Sequence, residues 1–276
     1  MQHNFLKPYY SLYQRFGCSG ELYVNDVLVY SFFGDQTQEG GSTGAVPINN
    51  VILESGKYKV VGKMLPRYGK KAITEEEYMS LDFHVAETEG PLGTMKKTRY
   101  KFHPRIEQPW DGLSENINYP VFEISTKIEV ELPFVLDGWQ NSVDLSKIKE
   151  EKLFEEVFAF YNQLYLVMES HNAGKYLELS KEKMRLQEQA FYFSEERKAN
   201  FQKGAMQIFG QKLQMLPMKK DELRVQVMGH GKLVRLVRLD GTEALKFKSP
   251  DPESQGDIEF EVKLHKRDLS KGFSII

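Results

Sequence analysis

The sequence predicts an α+β protein, on three observations: period-two alternation in the N-terminal half, helical apolar spacing in the middle, and a return to period two near the end. The expected architecture is an N-terminal antiparallel β-sandwich, jelly-roll-like, over residues 1–138. An α+β domain over 139–276 follows, in which helices within 147–209 pack with an antiparallel β-meander over 222–265. The boundary belongs near Trp139, where the pattern changes.

In the first half, residues 21–24 and 27–30 flank Asn25-Asp26. Asn and Asp tolerate the positive φ of a tight hairpin turn, so these runs read as paired strands. A Gly/Ser/Thr/Gln-rich loop spans 34–44, and extended segments follow at 46–53 and 57–65, with Tyr58, Val60 and Met64 on one face. Over 79–86, Met79, Leu81, Phe83 and Val85 alternate with Ser80, Asp82, His84 and Ala86, which predicts one buried and one wet face. The clearest strand is 121–132: Phe122, Ile124, Thr126, Ile128, Val130 and Leu132 share a face, and Pro133 stops the ladder.

Past Asn141 the period lengthens. Asp144 or Ser146 can cap a helix over 147–170 whose apolar stripe is Phe154, Val157, Phe158, Tyr161, Leu164, Tyr165 and Met168. Further helices are expected at 175–192 and 195–209, the latter capped by Ser194 with Glu195 and Glu196 in its first turn. Strands then return at 223–227, 232–239 and 244–248, joined by Gly229-His230-Gly231 and Asp240-Gly241 turns. The last strand turns Ile258, Phe260, Val262 and Leu264 inward, against Asp257, Glu259, Glu261, Lys263 and His265.

Composition excludes several function classes. Thirty-seven basic against 39 acidic side chains leave a net charge of −2, which lacks the field of a general nucleic-acid binder. Hydrophobic residues at 41% supply a packed core, and no apolar run approaches the ~18 residues of a membrane span. The start carries no basic region followed by an apolar stretch, so a cytoplasmic location is expected. Cys18 is the single cysteine, flanked by glycines and without a CxxC partner, and is read as an idle thiol.

No motif supplies an active site. His3, His84, His103, His171, His230 and His265 show no metal-ligand spacing, so neither a metal nor another cofactor is expected. Gly40-Gly41-Ser42-Thr43-Gly44 lacks the Lys-Ser/Thr and following helix of a phosphate loop, and Gly229-His230-Gly231-Lys232 reads as a turn. The carboxylate pairs Glu129/Glu131 and Glu259/Glu261 are placed on solvated strand faces. The loop aromatics Trp110 and Trp139 can anchor a partner or stack on a sugar, since they bring large area at low entropy cost, or fold back over an open sheet end or the sheet–helix seam, a place that suits Trp139 just ahead of the helix.

These features point to a non-catalytic recognition protein that binds a protein partner through sandwich loops and sheet faces, in the manner of a bacterial accessory or immunity-type protein. The alternatives are carbohydrate binding through Trp110 and a hydrolase using the Asp82, His84 and His103 face. Trp110, Asp82, His84, His103 and Trp139 are the candidate binding residues.

Overall fold

A computed structural model of the chain describes residues 5–74, 76–89, 94–95, 100–106 and 119–276. The fold is α+β, with helices and antiparallel sheets. Two compact units divide it: Met1–Leu136 with Ala190–Tyr192, and Asp137–Gln189 with Phe193–Ile276.

Unit 1 carries β1 (Pro8–Phe16), β2 (Ser19–Val24), β3 (Val27–Phe32), β4 (Ser42–Pro47) and β5 (Gly56–Leu65). It continues with β6 (Met79–Glu89), β7 (Thr94–Met95), β8 (Tyr100–Ile106) and β9 (Phe122–Val130). One sheet runs β4-β1-β6-β7, with β8 also on β6; the other runs β3-β2-β5-β9. Asn25 and Asp26 have φ of 45° and 65°, as a tight turn between β2 and β3 demands. The Asn25 Oδ1 also accepts from the Lys59 amide at 2.8 Å, which ties the hairpin tip to β5.

Alternation builds the core of this unit. Tyr58, Val60 and Met64 from β5 and Ile124, Ile128 and Val130 from β9 are buried, as are Leu12, Phe16, Leu81, Phe83 and Val85 of the other sheet. Burying each such side chain contributes about 1.5–3 kcal/mol. Gly62 is required where the sheets meet: a Cβ there would lie 2.5 Å from the Met79 Sδ.

Unit 1 adds one element to the sequence expectations and changes two. The aromatic N-terminus is an internal strand, β1, hydrogen-bonded to both β4 and β6. The glycine-rich loop ends at Ser42, where β4 begins, and residues 49–51 form a short 3-10 turn instead of extending the strand. The second face of β6 is partly covered, with Asp82 and Ala86 buried, and the Arg15 side chain of β1 reaches across to pair with Asp82.

In unit 2, Asp144 caps a 3-10 turn at Leu145–Lys147 by accepting from the Ser146 amide. Helix α1 (Glu150–Glu169) begins only after it. Its buried stripe is Leu153, Val157, Tyr161, Leu164 and Met168; Phe154, Phe158 and Tyr165 flank that stripe half-buried. The helix expected over 175–192 is two, α2 (Ala173–Leu179) and α3 (Lys181–Ala190), parted at Ser180 where ψ relaxes to 5°. Helix α4 (Glu195–Gly210) starts as expected, with the Ser194 side chain accepting from the Arg197 amide.

The strands of this unit are β10 (Leu223–Met228), β11 (Leu233–Arg238), β12 (Leu245–Phe247), β13 (Ile258–Phe260), β14 (Leu264–His265) and β15 (Ser274–Ile275). They form a β10-β11-β14-β15 sheet and a separate β12-β13 pair. The Tyr161 hydroxyl joins helix to strands: it donates to the Val262 carbonyl at 2.6 Å and accepts from the Leu236 amide at 3.1 Å.

The segment read as one strand over 257–265 is two, because the chain leaves β12 after Phe260 and joins β11 at Leu264. Alternation fails across that change of sheet, and residues 262–266 are all buried. Lys263 and His265, expected to face solvent, are inside. No helix among the described residues is long and apolar enough to cross a membrane.

Candidate functional site

The residues singled out from the sequence do not converge on one described site. Asp82 and His84 share a face of β6 beside β1, where the Arg15 Nη1 pairs with the Asp82 Oδ2 at 3.3 Å and the His84 ring stacks on Tyr13 at 6.0 Å. His103 belongs to β8, whose backbone registers His84 with Lys101. Trp110 lies outside the described residues. Trp139 belongs to unit 2 and is 8% exposed, its indole Nε1 approaching the turn at Gly229. Cys18 is buried, and loss of hydration pushes its thiol up to about 12, so the nucleophilic thiolate is negligible at neutral pH.

The glycine-rich loop is held from inside. Arg67 donates through Nη1 to the Thr37 and Gly40 carbonyls at 2.9 and 2.8 Å, and through Nε to the Glu77 Oε1 at 3.2 Å. Thr37 is fully buried, and its Oγ1 donates to the Gly34 carbonyl and accepts from the Tyr68 amide.

Unit 2 brings together groups that no sequence spacing joined. Ser142 Oγ lies 2.7 Å from His265 Nδ1, and His265 Nε2 lies 3.1 Å from Glu182 Oε1. Burial lowers the His265 pKa against the pull of Glu182, which favours a neutral ring whose Nδ1 accepts from the serine, while Nε2 lies close to the carboxylate without hydrogen-bond geometry. Burial tends to raise the Glu182 pKa, but hydrogen bonding from Arg267 outweighs it and holds the carboxyl low. The connectivity is that of a serine–histidine–acid relay. Ser142 is 2% exposed and His265 not at all, however, so the array is closed to substrate and acts as a structural clamp.

A second buried array joins Arg235 on β11 to Glu243 at 2.5 Å and to the Gln226 side chain at 2.8 Å. Burial, helped by the negative charge of Glu261, drives the Glu243 carboxyl up to about 7 against the pull of Arg235.

Among the described residues, an open pocket of about 480 Å³ is lined by α2, α3, α4 and the end of β13. Its apolar wall comes from Tyr176, Leu177, Met184, Phe201, Ile208 and Phe260. Behind the wall, Phe209 and Phe247 back Phe260, the three rings meeting edge to face with centroids 5.3–6.1 Å apart. The polar side holds Lys183, Glu259 and Glu261. Lys183 donates to the Glu261 carbonyl at 2.6 Å, and burial lowers its pKa against the pull of Glu261. The Glu261 carboxylate, expected on a solvated face, bonds Lys263 instead; burial would raise it, but Lys263 and Lys183 hold it down at about 2.

Gly204 faces this space from the interior of α4, and a Cβ there would meet nothing within 4 Å. Glycine inside a helix costs about 1 kcal/mol relative to alanine, and no packing within the chain requires it. The sequence shows this glycine, but only the fold shows what it faces.

Among the described residues no group of three or more His, Cys, Asp or Glu is arranged to hold a metal ion. Compared with known proteins, the chain matches no protein-family model, no curated protein and no solved structure.

Proposed function

We propose that this chain is a non-catalytic recognition protein whose principal contact with a protein partner is the pocket of unit 2, with the sandwich loops and sheet faces as secondary surface. The carrying observation is the 480 Å³ pocket with its apolar wall and few polar groups, which has the size and chemistry of a preformed binding site. The vacant space beside Gly204 supports the same reading, because it leaves room for an occupant to approach the backbone of α4.

The test is capture from a native extract with wild type and with Gly204→Leu, which fills the pocket. The expected outcome is one protein retained stoichiometrically by wild type and lost by the variant, with thermal midpoints matched. A partner held equally by both, or binding on a glycan panel with no protein retained, would overturn the proposal.

A further inference from the structure

The β12-β13 pair has one satisfied edge and one free edge. On the far side of β12, the Leu216 amide donates to the Lys246 carbonyl at 3.0 Å and the Lys248 amide donates to the Gln214 carbonyl at 2.8 Å. The backbone groups of Lys246 and Lys248 therefore face the 214–216 segment, and alternation turns those of Leu245 and Phe247 toward β13. Their register partners are Phe260 and Ile258. Those two residues bond β12, so the N–H and C=O of Glu259 point the opposite way, along the outer edge. Among the described residues nothing answers them, and Glu259 is exposed.

That outer edge borders the pocket. Glu259, Phe260 and Glu261 all line it, whereas a strand meeting a cavity with one face presents only alternate residues. Lys183, also a lining residue, reaches the Glu261 carbonyl from the same side, two positions along from Glu259.

We infer that the occupant is an extended peptide segment of a partner protein, which adds to the free edge of β13 and seats an apolar side chain in the pocket. This deepens the recognition role proposed above and rests on it. An unsatisfied backbone pair beside an apolar recess selects polypeptide over an aliphatic ligand, because the peptide brings both main-chain donors and acceptors and an anchoring side chain. Gly204 gives the incoming side chain room against α4.

The test pans a phage-displayed random linear peptide library on the full chain, then follows amide exchange by NMR with the enriched peptides. The expected peptides share one apolar residue and slow exchange of the Glu259 amide about tenfold, leaving Ile258 and Phe260, already bonded to β12, unchanged. Methylating one peptide backbone nitrogen should weaken binding about tenfold, and methylating its neighbour should not, since alternate amides face the strand. Gly204→Leu should weaken binding to a similar degree; should that variant fail to fold, Phe201→Ser, at a residue 46% exposed on the pocket wall, serves instead.

An empty selection, or peptides that bind without slowing the Glu259 amide, would overturn strand addition. If palmitate binds and Gly204→Leu abolishes it while no peptide binds, the pocket remains a site but the occupant is aliphatic, and strand addition falls. If partner capture is also insensitive to Gly204→Leu, the broader recognition reading falls with it.

Discussion

The 34–44 loop of unit 1 and the 257–265 segment of unit 2 behave in opposite ways to what their compositions suggest. The loop is rich in glycine, serine and threonine, yet Arg67 and the buried Thr37 hold its backbone in place. The segment reads as an ordinary amphipathic strand, yet it changes sheet, buries His265 and leaves Glu259 on an unsatisfied edge beside a pocket. Turn-forming residues report local backbone freedom. They do not report whether a distant side chain has already claimed the carbonyls, and that decides which surface is left to bind anything.

The contrast can be broken most forcefully at the buried polar groups. Arg235→Met removes the partner of Glu243 and should destabilise the chain by about 3–5 kcal/mol in urea unfolding, while Arg235→Met with Glu243→Leu recovers most of the loss. This penalty depends on pH in a definite sense. The Glu243 carboxyl is raised from 4.5 to about 7 in the folded state, so the stability linked to its proton is complete below 4.5 and is lost as pH rises through about 7. Without Arg235 the ionised form is worse still, and the defect should be greater at pH 8 than at pH 5. A pH-independent defect would show that Glu243 does not titrate in this range.

Next in size, Arg67→Ala should cost about 2–3 kcal/mol and expose the 34–44 loop to proteolysis, since two carbonyls and a buried carboxylate lose their donor. A loop that stays resistant would mean that Thr37 alone secures it. Ser142→Ala should cost about 1–2 kcal/mol through the buried His265 nitrogen it leaves unpaired, and wild type should not react with a fluorophosphonate probe. Labelling at Ser142 would turn the clamp into an active site and reverse the comparison.

Smallest is Gly204→Ala. It should stabilise the fold by about 0.5–1 kcal/mol, because the helix gains and nothing clashes, while reducing binding in the pocket. A stabilised variant with undiminished binding would separate Gly204 from the site.

Much of the fold was legible because its causes are local. Positive φ at Asn25-Asp26, the three- and four-residue stripe of α1 and the Ser194 cap each depend on residues within a turn or two. What escaped depends on distant partners. The internal place of β1 is set by pairing with β4 and β6, and the end of β13 by a transfer to β11. The pocket draws residues from 176 to 261, so no window of sequence contains it. The Ser142, Glu182 and His265 array is equally dispersed, and its members look unremarkable singly. Gly204 was the one local clue, a glycine inside a helical run without a capping role.

Ala190–Tyr192 belong to unit 1 although more than fifty residues of unit 2 precede them in the chain. Asn49 donates to the Ala190 carbonyl at 3.0 Å, Tyr9 meets Phe191, and Phe134 meets Tyr192. During synthesis, therefore, the described strands of the sandwich are made before the last piece of their own unit exists. The nascent sandwich waits with an amide donor and aromatic surface uncovered until α3 has emerged. The order of the chain therefore makes completion of the first unit wait on synthesis of much of the second.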